Sequence, residues 1–155
     1  MRDLVLIVEA NAERARAYSR LVDAEGMASV DVQDGKAALE ELGGGRRYRL
    51  LITELSLPGI DGFELLRRSK STPNAGLRVL VASAFRDMRE SAMAMRTELG
   101  IGAVVTTSTS DEALARVIRR LLRDEVVTEL VPEPAASNTS LTARRESLRA
   151  AGLDR

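Results

Sequence analysis

Leu50-Leu51-Ile52-Thr53-Glu54-Leu55-Ser56-Leu57-Pro58-Gly59-Ile60-Asp61-Gly62 is the stretch from which the rest of the chain can be read. Its first four residues form a buried run, the pattern of a strand covered on both faces. The loop that follows carries turn chemistry. Pro58 fixes φ, Gly59 and Gly62 tolerate positive φ, and Asp61 stands where a helix would be capped. Glu54 closes the run and brings an ionisable side chain to the end of the strand.

Outward from this stretch, two periodicities alternate. Leu4–Val8 is a continuous apolar run, and Asn11 caps a helix reaching about Glu25 and stopped by Gly26. Ala28–Val32 reads as a second strand and Gly35–Leu42 as a short helix closed by Gly43-Gly44-Gly45. After the third strand, Leu50–Thr53, Asp61 starts a helix to about Ser71, and Leu77–Ala82 is the fourth strand. Arg86–Leu99 reads as one helix stopped by Gly100, Gly102–Thr106 as the fifth strand, and Ser110 or Asp111 caps the last helix. Five strands alternating with five helices predict an α/β, doubly wound parallel sheet with helices on both faces. Functional groups then gather at the carboxyl ends of the strands.

Leu114, Val117, Ile118, Leu121 and Leu122 form one stripe on the last helix, which Val126, Val127 and Leu130 would extend. Residues 1–130 are therefore expected to form one domain with an extended last helix. Residues 131–155 begin as a Pro/Ala/Ser linker. They end in a tail with only Leu141, Leu148 and Leu153 as large apolar residues, too few to fold alone.

Composition narrows the function. The 155 residues include no cysteine and no histidine, which removes thiolate chemistry, the commonest general base and the commonest transition-metal ligand. Lys+Arg and Asp+Glu both number 23, so no basic excess attracts nucleic acid or an anionic membrane. Only Lys36 and Lys70 are lysines. The apolar run Leu4–Val8 is too short for a signal peptide or a membrane span, and the expected location is the cytoplasm.

The stretch from Glu54 to Gly62 resembles the acceptor strand and loop of a bacterial response-regulator receiver domain, usually D-x-x-x-P-x-x-D-G, and the resemblance covers roughly residues 3–123. It implies a flavodoxin-like sheet of strand order 2-1-3-4-5. It also implies an acidic pair after the first strand that holds Mg²⁺ with an acceptor aspartate. A hydroxyl residue after the fourth strand and a lysine after the fifth would contact the phosphoryl group. Here Glu54 stands at the acceptor position, Glu9 at the first acidic position and Ala10 at the second. Ser83 matches the hydroxyl, Thr107 falls where the lysine is expected, and Val104 holds the aromatic switch position. The resemblance is thus to an atypical receiver, a pseudo-receiver without its nucleophile, one metal ligand, the phosphate's counter-charge and the switch aromatic.

Two readings of Glu54 stay open. Its extra methylene adds about 1.5 Å of reach, so its carboxylate could mimic a phosphoryl group and accept a hydrogen bond from Ser83. Alternatively, Glu9 and Glu54 are vestigial carboxylates whose repulsion raises one pKa. No resident cofactor is expected; Mg²⁺ would bind weakly at most, through Glu9, Glu54 and the carbonyl near Ser56. No catalytic residue is assigned.

The remaining candidates concern partners. Met88, Met93 and Met95 on the fourth helix either fill core gaps or, with Phe85 and Arg89, belong to an adaptable partner surface. Arg116, Arg119, Arg120 and Arg123 make a basic strip on the last helix, either a solvated face or a charged rim. Gly43-Gly44-Gly45-Arg46-Arg47 lacks Walker spacing and reads as a helix-ending loop. The expected function is a non-enzymatic, phosphorylation-independent signalling adaptor. It would bind another signalling protein or its own copy through the fourth helix, fifth strand and last helix, with the tail as a second attachment. The alternatives are a regulator switched by Mg²⁺ or a small anion, and the N-terminal part of a DNA-binding regulator. Leu141–Arg149 only faintly resembles the start of a helix-turn-helix, and no aromatics interleave with the arginines, so no nucleic acid is expected.

Overall fold

Each apolar run becomes a parallel strand, and each amphipathic segment a helix laid across the sheet. The computed structural model describes residues 3–125. Its strands are β1 (Leu4–Val8), β2 (Ala28–Val32), β3 (Tyr48–Thr53), β4 (Arg78–Ala82) and β5 (Ile101–Val105). The helices are α1 (Ala12–Ala24), α2 (Gly35–Leu42), α3 (Gly62–Ser69), α4 (Arg86–Ala94), α5 (Arg96–Leu99) and α6 (Asp111–Leu122). All strand pairs are parallel, in the order β2-β1-β3-β4-β5.

Alternation along the strands divides the core. Val5, Ile7, Leu50 and Ile52 face α1 and α6, whereas Leu6, Val8, Leu51 and Val81 face α2, α3, α4 and α5. Both sets are essentially fully buried, each large aliphatic side chain contributing about 1.5–3 kcal/mol against exposure. Asn11, Asp34, Asp61 and Ser110 each cap a helix by accepting a backbone N–H three residues on.

Several details differ from the sequence reading, among them β5, which runs over Ile101–Val105 and leaves Thr106 just past its end. β3 starts at Tyr48 rather than Leu50, because its first residues pair outside the local pattern. Tyr48 N–H donates to Asn74 Oδ1 at 2.8 Å, and its ring is buried while Arg49 points outward. Asn74 Nδ2 in turn donates to the carbonyls of Leu42 (2.8 Å) and Arg46 (3.0 Å), pinning the end of α2 to the start of β3. The helix expected over Arg86–Leu99 breaks at Met95, which is held at φ −101°, ψ 10°. The break lets Leu99 turn inward to the core, and Arg96 Nη1 donates to the carbonyl of Met93 (2.9 Å) at the interruption.

Gly62 does not adopt positive φ; Gly59 does, at +73°. Gly62 is needed instead for close approach, since a Cβ there would lie 2.6 Å from both the carbonyl oxygen of Glu54 and Leu55 Cα. Gly43 caps α2, so the glycine triplet is a helix-ending loop. α6 ends at Leu122 with Asp124 at φ 61°. The proposed continuation at Val126, Val127 and Leu130, and the linker and tail over 131–155, lie outside the described residues.

Candidate functional site

Parallel strands in register deliver their next residues to one edge of the sheet. Val8 pairs with both Val32 and Thr53, and the ladder runs one residue further. Glu9 N–H donates to Val32 O, Glu54 N–H to Val8 O and Ser83 N–H to Val105 O, each at 3.1 Å. Glu9, Glu54, Ser83 and Thr106 therefore follow β1, β3, β4 and β5 side by side. All four are buried, at 3%, 7%, 0% and 7% exposure. Glu9, Glu54 and Ser83, the pocket positions read from the sequence, thus stand together at this edge.

Glu54 is only partly satisfied. Its Oε1 accepts the Ser56 N–H at 3.3 Å, while Oε2 is buried without a hydrogen bond. Its pKa is raised from the ordinary carboxylate value, first by burial and secondarily by the charge of Glu9. The Ser56 N–H, the nearby Ser83 hydroxyl and Arg14 act in the opposite direction. Burial, then, rather than mutual repulsion is the main cause. Ser83 is close enough to influence the carboxylate but forms no hydrogen bond of acceptable geometry with it. Ser83 Oγ instead accepts the Phe85 N–H at 3.2 Å.

The sequence reading missed Arg14. Its Nε donates to Glu9 Oε1, forming an ion pair in which the Glu9 side chain is 2% exposed and that of Arg14 41%. The pocket therefore has an internal cation despite lacking a lysine after β5. Arg14 lies in the first turn of α1, and its own N–H donates to the capping Asn11 Oδ1 at 3.0 Å. A cation in a first turn opposes the helix dipole, and that misplacement was the available signal. The Glu9 bond, followed by the charges of Tyr18 and Glu54 among others, holds the Arg14 pKa up against desolvation. Burial and Glu9 also push the Tyr18 hydroxyl upward.

The other expected positions carry no replacement for the implied groups. Ala10 is exposed, Val104 is buried within the sheet, and Thr107 is half-buried. Thr106 Oγ1 accepts the Ser108 N–H at 3.3 Å and lies 3.1 Å from Ser108 Oγ. Thr109 Oγ1 is buried without a partner. Among the described residues, no three carboxylates converge as a metal cluster.

On α4, Phe85 is 54% exposed at the N-cap position. Met88, Met93 and Met95 are half-buried against the core, and Arg89 Nη1 donates to Ser83 O at 2.9 Å. The arginines of α6 do not form one rim with this surface. Arg119 pairs with Glu25 at the end of α1 (2.8 Å), and Arg123 lines a recess with Asp3, Glu25, Met27 and Arg49. Arg116 pairs with Glu112 and Arg120 with Glu125. The strip thus splits because α6 packs beside α1, which draws two of its arginines to that side.

A family model described as "Response regulator receiver domain" matches residues 5–119. A gliding motility regulatory protein of Myxococcus xanthus is 32% identical over 121 residues, 76% of this chain. The chain spans 15% of that protein's length. Among solved structures, the signal receiver domain of a Syntrophus aciditrophicus signal transduction histidine kinase is 26% identical with a TM-score of 0.67. The match covers 84% of this chain and 97% of that one. A CheY-like receiver domain protein from Methanospirillum hungatei shares the fold at TM-score 0.71 and 16% identity, with coverage of 80% and 96%. Among the described residues, no helix is long and apolar enough to cross a membrane.

Proposed function

The chain belongs to the response regulator receiver domain family of two-component signalling, and from that premise we propose that it is a signalling adaptor that works without phosphorylation. One observation carries the reading: the residue at the acceptor position is a buried glutamate, flanked by an ion pair instead of a second acid and a lysine. A carboxylate so placed cannot become an aspartyl phosphate, and no lysine follows β5 to balance a transferred group.

The output surface is proposed on α4 and β5. Ser83 links the pocket to that surface through two bonds of its own, accepting from Phe85 N–H and offering its carbonyl to Arg89. The β4–α4 loop is therefore held by internal bonds that need no phosphoryl group. Phe85 supplies the exposed apolar anchor at the start of α4, and half-buried Met88 and Met95 add deformable side chains further along the same helix. Arg116 and Arg120, in exposed pairs with Glu112 and Glu125, add charged contacts, whereas Arg119 and Arg123 belong to the α1 side. The partner is another signalling protein or a second copy, the protein acts as a non-enzyme in the cytoplasm, and nucleic acid is not a partner. The name of the Myxococcus relative points to regulation of motility as the setting.

The test combines a small phosphodonor with partner capture. Intact mass should show no phosphoryl adduct on the wild-type chain or on Glu54→Asp, because Ala10 and Thr107 remain. Partner binding should be unchanged by the donor and lost in Phe85→Ser. A phosphoryl adduct on wild type, or binding that depends on the donor, would overturn the proposal. An adduct on Glu54→Asp alone would show that the pocket lost only its nucleophile.

A further inference from the structure

We infer that Arg14 is a tethered counter-ion that takes the place of a divalent cation, its guanidinium occupying the carboxylate pocket and excluding Mg²⁺ from it. The inference rests on reading this pocket as one that transfers no phosphoryl group. That reading falls on phosphate incorporation, this one on metal binding, so the two can fail separately.

The donor set is the first support. Mg²⁺ demands near-octahedral oxygen ligation and usually takes carboxylates together with retained waters. Ala10 supplies no oxygen, and Glu9 Oε1 is already committed to Arg14 Nε. What remains is the second Glu9 oxygen beside the guanidinium, the carbonyl near Ser56, and Glu54, one oxygen of which is occupied by the Ser56 N–H. These residues do not fit the ion that the family's acidic pocket implies.

The second support is the cation's position. A buried carboxylate such as Glu9 needs a partner, because leaving it uncompensated is costly. Arg14 provides one from the first turn of α1, where a positive charge works against the helix dipole. Only the carboxylates make that placement favourable. The guanidinium approaches from the solvent side, with Arg14 at 41% exposure roofing Glu9 at 2%. A divalent ion reaching Glu9 would have to displace it and meet its charge. The orphaned Glu54 Oε2 lies in the same pocket. It is the oxygen that a metal would recruit once the roof is removed.

The experiment titrates the full chain and its Arg14→Met and Arg14→Lys variants with Mg²⁺, following thermal unfolding and amide chemical shifts. Mn²⁺ binding, read by its paramagnetic resonance, serves as a second probe. Wild type and Arg14→Lys should show no shift in midpoint at millimolar Mg²⁺. Arg14→Met should be less stable in metal-free buffer and bind Mg²⁺ about tenfold or more tightly than wild type. Adding Glu9→Gln to that variant should abolish the gain. Should Arg14→Met fail to fold even with Mg²⁺, the amide shifts of wild type still decide. Mg²⁺-dependent movement at Glu9 and Glu54 overturns the inference, and their silence upholds it. A folded Arg14→Met that binds no metal, or no more tightly than wild type, also overturns it.

Discussion

Replacing Glu54 by glutamine should stabilise the protein at neutral pH and leave its stability little changed in acid. The amide preserves the shape of the side chain and keeps an oxygen for the Ser56 N–H. It removes the charge from an oxygen that is buried without a hydrogen bond. An unsatisfied buried polar atom costs about 1–3 kcal/mol, and more when charged; the nearby Arg14 charge offsets part of that. A net gain of about 1 kcal/mol is expected, corresponding to a rise in unfolding midpoint of about 3–6 °C for a domain of this size.

The sign with pH follows from the raised pKa of Glu54. Between its ordinary value and the raised one, the folded chain holds a proton that the unfolded chain releases. The contribution to stability is thus complete below the unfolded value and is lost as pH rises through the folded one. Glutamine cannot titrate, so the variant lacks this slope. Urea unfolding of both proteins from about pH 4 to about pH 8 should show a gap that opens as pH rises. The Glu9–Arg14 pair is common to both proteins and largely cancels in the comparison. A variant less stable than wild type at neutral pH, or a gap that widens toward acid, would refute the reasoning. It would mean that the Glu54 charge holds structure together, as a phosphate mimic should.

Gly62→Ala places a methyl 2.6 Å from the Glu54 carbonyl oxygen and Leu55 Cα, and should cost about 1–3 kcal/mol in chemical unfolding; an unchanged midpoint would count against the close approach. Asn74→Ala strips three hydrogen bonds that join α2, β3 and the turn before β4. A loss of about 2–4 kcal/mol is expected, read as a lower urea midpoint at constant slope. Phe85→Ser, at a half-exposed site, should change stability by no more than about 0.5 kcal/mol while abolishing partner capture; a large loss of stability would move Phe85 from surface to core.

Everything legible in the sequence was local or strictly periodic. Leu4–Val8 and Leu50–Thr53 announced strands because residues covered on both faces must all be apolar. Asn11, Asp61 and Ser110 announced helix starts because capping is a contact across three residues. Such patterns, with the motif around Glu54, were enough for the sheet and for the positions of Glu9, Glu54 and Ser83 at its edge, since parallel strands in register deliver their next residues to one edge. What lay beyond the sequence was pairing through space. Tyr48 joins β3 because Asn74, far along the chain, receives its N–H; α4 breaks so that Leu99 can reach the core; Arg119 leaves the α4 side because Glu25 lies beside it. Arg14 is the clearest case. Its number and charge were in plain view, but whether it meets solvent or Glu9 depends on the direction in which α1 leaves β1, and only the folded chain sets that direction.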